Sequence, residues 1–390
     1  MMARLKTHLA NTALVVVSVL ITYFMVEFAF FRVLLPNMPL QLRPHLPDVA
    51  DVLVQNSKSG FVPNNYIALL GDSYAEGVGD WLWQTEGNYA KPFHSANVIH
   101  DLTGRDVVSF GKGGAGSAEG IVERPAGVFS DNSCYLFPTI EPPSQMFIYY
   151  YEGNDVEDNL FFESKVVSRY GHLDAQTIDR YLNEVYAKGN PWDCHVELFD
   201  TTTRMVKFLY EYYVTGADIF ACSQGANAKY GNRLIVDGQP VQAPALQGPA
   251  MTANDDGIHA AMAVLDHSLN WLRHRFPGVP TTVVDVPSPL SVYHLNEEEV
   301  AYCLSLVGTA PADRIESNSN LIADLVQKSA TSQGLAFLDA RPTMRALAAT
   351  TVIHGPRDWA HFNEAGYRAL GALVAAHVTP PPLSASRELH

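Results

Sequence analysis

The stretch Tyr66-Ile67-Ala68-Leu69-Leu70-Gly71-Asp72-Ser73 constrains this chain more than any other, because an apolar run of strand character stops abruptly at a glycine, an acid and a serine. In an open parallel sheet, ligands bind beyond the carboxyl ends of the strands, so a hydroxyl placed just past a buried strand meets solutes while its backbone is held rigid. Ser73 is therefore a candidate nucleophile. Gly, Asp and Ser are also ordinary turn residues, so the stretch carries chemistry only if the serine has partners elsewhere.

Such partners stand near the other end, in Asp358-Trp359-Ala360-His361-Phe362-Asn363-Glu364-Ala365-Gly366, where an acid precedes a histidine by three residues at the start of a helical pattern. A serine hydroxyl needs a base within hydrogen-bond reach, and the base needs a third group that fixes its tautomer. His361 and Asp358 fit those roles. Two further strand-like runs end in glycine-containing turns: Val107 to Gly116, with Gly111, Gly113, Gly114 and Gly116, and Phe147 to Asp155, with Gly153-Asn154-Asp155.

With these blocks in this order, the chain resembles the SGNH hydrolases, also called GDSL lipases or acylhydrolases. The likeness spans residues 60 to 375, through Gly71-Asp72-Ser73, the glycine-rich turn, Gly153-Asn154-Asp155 and Asp358-x-x-His361 followed by Asn363 and Gly366. It implies a flavodoxin-like α/β fold and a triad of Ser73, His361 and Asp358. It also implies an oxyanion hole formed by the amides of Ser73 and Gly114 with the Asn154 side chain. Gly111, Gly113 and Gly116 crowd the same turn, and spacing alone does not separate them from Gly114.

Residues 1–35 form a separate element. Arg4 and Lys6 precede an almost wholly apolar stretch from Leu9 to Leu34, long enough to cross a bilayer core, which takes about 20 residues. No small-x-small cleavage site follows, so an uncleaved single-pass anchor is expected in preference to a signal peptide. Basic residues on its amino side favour an extracytoplasmic catalytic domain, against a weaker pull from Arg32 and Arg43. Glu27 is open to two readings, contact with a partner helix or reach to the interface.

Pro36, Pro39, Pro44 and Pro47 make 36–60 read as a linker. A hydrolase domain is expected over 61–380, with strands at 66–70, 106–110, 146–151, 281–286 and 335–339 and helices near 88–103, 257–275 and 316–332. That alternation predicts a parallel five-stranded sheet with helices on both faces. Between 155 and 257 the pattern loosens into an insertion, with helices at 175–187 and 200–214, a strand at 217–222 and a hairpin turning at Asp237-Gly238. The insertion either walls the substrate site or is a surface elaboration.

A formal net charge of −15 argues against nucleic acid as a partner, since phosphate binding needs clustered Lys and Arg. His354 lacks the paired ligand spacing of a metal site, and Lys112 lacks the order of a phosphate loop, so no metal and no cofactor is expected. Trp81, Trp83, Tyr149, Tyr150, Tyr151 and Trp359 could stack on sugar rings, but aromatics are more often core. Of Cys134, Cys194, Cys222 and Cys303, the pair Cys134 and Cys194 is the expected disulfide, with Cys222 a buried thiol. The resulting expectation is a membrane-anchored serine esterase acting on acyl esters, acetyl in the first instance, with carbohydrate as the implied carrier. A polysaccharide O-acetyltransferase using the same triad and a non-catalytic scaffold subunit of polysaccharide assembly stand as alternatives.

Overall fold

A computed structural model describes residues 2–35, 46, 48–79, 94–131, 139–187, 231–304 and 307–380. Among them the strands are β1 (Ile67–Gly71), β2 (Val107–Ser109), β3 (Gln145–Tyr151), β4 (Gly231–Val236), β5 (Gln239–Pro244), β6 (Thr281–Val286), β7 (His294–Leu295), β8 (Glu299–Cys303), β9 (Val307–Pro311) and β10 (Ala336–Asp339). Five of them form one sheet in the order β10-β6-β3-β1-β2, parallel at every pairing. Counted along the chain, those five run 2-1-3-4-5 across the sheet, the flavodoxin-like doubly wound order.

Every residue of β1, β3 and β6 is buried, as expected of strands covered on both faces. Successive side chains alternate between two cores. Ile67, Leu69, Phe147, Tyr149, Tyr151 and Val284 lie in one, with Tyr367, Leu370 and Val374 of the helix Glu364–Ala375. Ala68, Leu70, Met146, Ile148, Tyr150 and Val283 lie in the other, with residues of the helices Asp255–Arg275 and Ala312–Ser332. The consecutive tyrosines 149–151 are thus core residues on alternate faces, not a sugar platform.

Three stretches differ from the expectation. Within the supposed linker, Asp48–Val54 is a helix whose Val49, Ala50, Val52 and Leu53 are buried in the second core. Arg124 ties it down through ion pairs to Asp48 and, at 2.6 Å, Asp51. The supposed insertion opens with a continuous helix, Asp155–Tyr170, which buries Phe162 and Val166 in a cluster with Val264 of Asp255–Arg275. Helix 175–181 and the hairpin β4–β5 form as expected, whereas the helix at 200–214 and the strand at 217–222 lie outside the described residues. A second hairpin, β8–β9, was not foreseen. Cys303 is buried on β8; Cys134, Cys194 and Cys222 lie outside the described residues, as do Trp81 and Trp83.

Among the described residues one helix is long and apolar enough to cross a membrane: His8–Leu34, with a mean hydropathy of 2.3. Phe31, in the last turn of that run, and Leu35, just past it, are buried in the same cluster as Val49, Leu53 and Tyr66.

Candidate active site

The sheet order reverses between β1 and β3, and at such a switch point the connections leave on opposite sides and open a crevice. Ser73 follows β1 and Asn154 follows β3, so the two residues flank that crevice. Gly71 makes the turn possible: its φ is +131°, and an added Cβ would lie 2.4 Å from the Tyr149 carbonyl oxygen on β3. Any other residue would push β1 away from β3 and displace Ser73 with it.

Ser73 begins the short helix Ser73–Glu76, capped by Asp72, whose carboxylate accepts from the Tyr74 amide at 2.8 Å. As the first residue of that helix, Ser73 presents an amide that needs no intrahelical partner. Its hydroxyl is 2.8 Å from His361 Nε2 and 3.2 Å from Asp72 Oδ2. His361 Nδ1 lies 2.7 Å from Asp358 Oδ2. A carboxylate only accepts, so Nδ1 carries the proton and Nε2 is left to take one from the serine.

Several contacts hold the base loop. Asp358 Oδ1 accepts from the Ala360 amide at 2.9 Å, and the Tyr74 hydroxyl donates to the Ala360 carbonyl at 2.7 Å. Asn363 caps the following helix by accepting from the Ala365 and Gly366 amides, while its Nδ2 donates to Val352 O at 2.8 Å. His354 is fully buried behind the loop, with Nδ1 3.1 Å from the Tyr293 hydroxyl and its ring 4.8 Å from that of Phe362. Burial pushes it down to about 3, so it stays neutral.

The electrostatics favour a working base. Burial lowers the His361 pKa, but the charge and hydrogen bond of Asp358 outweigh that and hold it above the ordinary histidine value. Burial raises Asp358, and the His361 charge and its hydrogen bonds reverse this, so it remains an anion. Asp72 is pushed up to about 6, mainly by burial. Asp158 is pushed up to about 7 by burial and then by the charge of Asp72.

The glycine turn sorts itself by hydrogen bonding. The Gly111 amide donates to Ser109 Oγ at 3.1 Å, and the Gly113 amide to Glu76 Oε2 at 2.6 Å. Gly116 is pressed against the helix Asp155–Tyr170. Gly114, at φ +70°, lies at the open part of the turn, where an added Cβ would meet nothing within 4 Å. Asn154 is the N-cap of Asp155–Tyr170 without making a cap hydrogen bond; its Nδ2 donates to Asp158 Oδ2 at 2.8 Å. Sequence reasoning passed over Asp158, Asn159 and Tyr74, for which spacing gives no signal.

The sequence matches no family model, and no curated protein matches it. Solved structures similar in outline include the following three. A phospholipase A1 from Streptomyces albidoflavus aligns at 14% identity and TM-score 0.39, over 81% of this chain and 99% of that one. An extracellular lipase from Streptomyces rimosus aligns at 14% and 0.41, over 80% and 99%. An acetyl xylan esterase from the rumen bacterium Butyrivibrio proteoclasticus aligns at 10% and 0.35, over 81% of this chain and 63% of that one. At such identities chemistry has to be read from the side chains themselves.

Proposed function

We propose that this chain is a serine esterase of the SGNH type, anchored to a membrane by its first helix and acting on small acyl esters. The observation that carries the proposal is the linear relay from Ser73 Oγ through His361 to Asp358, at 2.8 and 2.7 Å. Ser73 attacks the ester carbonyl carbon while its proton passes to His361 Nε2, giving a tetrahedral intermediate. Collapse expels the alcohol, which takes the proton back from His361, and leaves an acyl-Ser73. Water, deprotonated by the same imidazole, then releases the acid. The negative oxygen is stabilised by the Ser73 and Gly114 amides and the Asn154 side chain, a contribution of ~10²–10³ in rate per donor.

The anchor reading draws support from Phe31 and Leu35, which are part of the domain core. Cleaving the first helix away as a signal peptide would remove both from that core. An enzyme held this close to a bilayer meets esters presented at the membrane surface, and acetyl groups on an extracytoplasmic polysaccharide are the substrate class we favour. The full-length protein in detergent should hydrolyse a 4-nitrophenyl acetate ester, and Ser73→Ala should abolish turnover. Equal rates in both proteins would refute the reading. Acetylated sugar as the main product when an oligosaccharide is added would instead identify an acetyltransferase.

A further inference from the structure

Asn154 can stabilise an oxyanion only if its amide nitrogen faces the crevice. An amide side chain at a helix N-cap more often turns back to accept from the helix's own first amides. Here it makes no such cap bond, and Nδ2 donates to Asp158 Oδ2, one turn further along. Above the pH at which Asp158 ionises, that carboxylate can only accept, so it forces the nitrogen to its side of the amide. A primary amide nitrogen carries two hydrogens, so one remains beyond that given to Asp158. Oδ1 of Asn154 is buried without a partner among the described residues, so Asp158 alone decides which way the amide turns.

The platform under this contact is fixed. Asn159, fully buried next to Asp158, accepts from the Ser117 amide at 2.9 Å and donates to Ser117 Oγ at 3.0 Å and to Ala261 O at 3.2 Å. Gly116 lets the glycine turn approach, since an added Cβ there would lie 2.9 Å from the Asp158 Cβ. Asp158 is therefore locked between the turn that carries Gly114 and the side chain of Asn154.

We infer that Asp158 is a positioning residue of the oxyanion hole, acting through Asn154 and not on the substrate. The inference rests on the esterase reading and deepens it. It is tested by a double-mutant cycle on acetyl ester hydrolysis at about pH 8.5, where Asp158 is ionised. Asp158→Leu should lower kcat about tenfold, less than the ~10²–10³ expected of removing a donor, with KM within about twofold, because the hole is used in the transition state. Asp158→Asn, whose amide oxygen still accepts, should recover most of the rate. In an Asn154→Ala background, Asp158→Leu should cause no further loss. A loss as large with Asn154 absent as with it present would overturn the inference, as would a wild-type kcat in Asp158→Leu. If Asn154→Ala itself keeps the wild-type kcat, the assignment of Asn154 to the oxyanion hole fails first.

Discussion

At the scale of single residues, His361 is under two opposed pulls, burial against the Asp358 carboxylate, and the carboxylate prevails. Acylation needs the neutral imidazole, so kcat/KM should fall as pH drops through a histidine pKa raised from its ordinary value. Asp358→Asn removes the main charge that opposes burial, leaving those of Asp72 and Glu76, and its amide nitrogen can donate to Nδ1 and so favour the wrong tautomer. The variant should lose ~10³–10⁴ in kcat, and the midpoint of its residual activity should move to lower pH. A pH–rate series on both proteins checks this; an unmoved midpoint would contradict the assignment. The sign for stability is opposite. A histidine raised in the folded state contributes stability that is complete below its unfolded pKa and is lost as pH rises through the folded one, so this pair holds the fold best where the enzyme is least active. Ser73, His361 and Asp358 were legible in the sequence because Ser73 ends an apolar run of strand character and the other two stand three residues apart at the start of a helical pattern. Gly114 was not separable by spacing, because what distinguishes it is which neighbouring amides are already bonded. Asp158 and Asn159 were invisible, since polar residues early in a helix ordinarily face solvent.

At the scale of elements, the five strands and most crossover helices followed from apolar runs and periodicity. Two of the helices that were missed have different physical causes. Asp48–Val54 is seven residues long, too short to persist alone, and it forms because a core and Arg124 receive it. In Asp155–Tyr170 the inward face carries Asp155 and Asn159 among Val156, Phe162 and Val166, which breaks the apolar period. Arg124 is nearly buried between two carboxylates, with 12% of its side chain exposed, so Arg124→Leu takes the guanidinium away from Asp48 and from the buried Asp51. The substitution should cost about 3 kcal/mol in urea unfolding of the domain. A change under about 0.5 kcal/mol, the scale of an exposed pair, would show that the helix is peripheral.

At the scale of the whole molecule, the chain combines an acidic α/β domain with one apolar helix that ends inside that domain's core. The net charge of −15 argues against a surface driven to nucleic acid, and Phe31 and Leu35 pack the end of the first helix against the domain. The hairpins β4–β5 and β8–β9, lying apart from the five-stranded sheet, were only half legible: Asp237-Gly238 announces the first, and nothing as clear announces the second. Whether this fold activates Ser73 is decided by active-site labelling. Full-length protein in native membranes is treated with a fluorophosphonate, which reacts only with an activated serine, and the modified residue is found by mass spectrometry. A single adduct on Ser73 is expected, absent from Ser73→Ala and strongly slowed in His361→Ala. Labelling at another serine, or none in a folded protein, would contradict it.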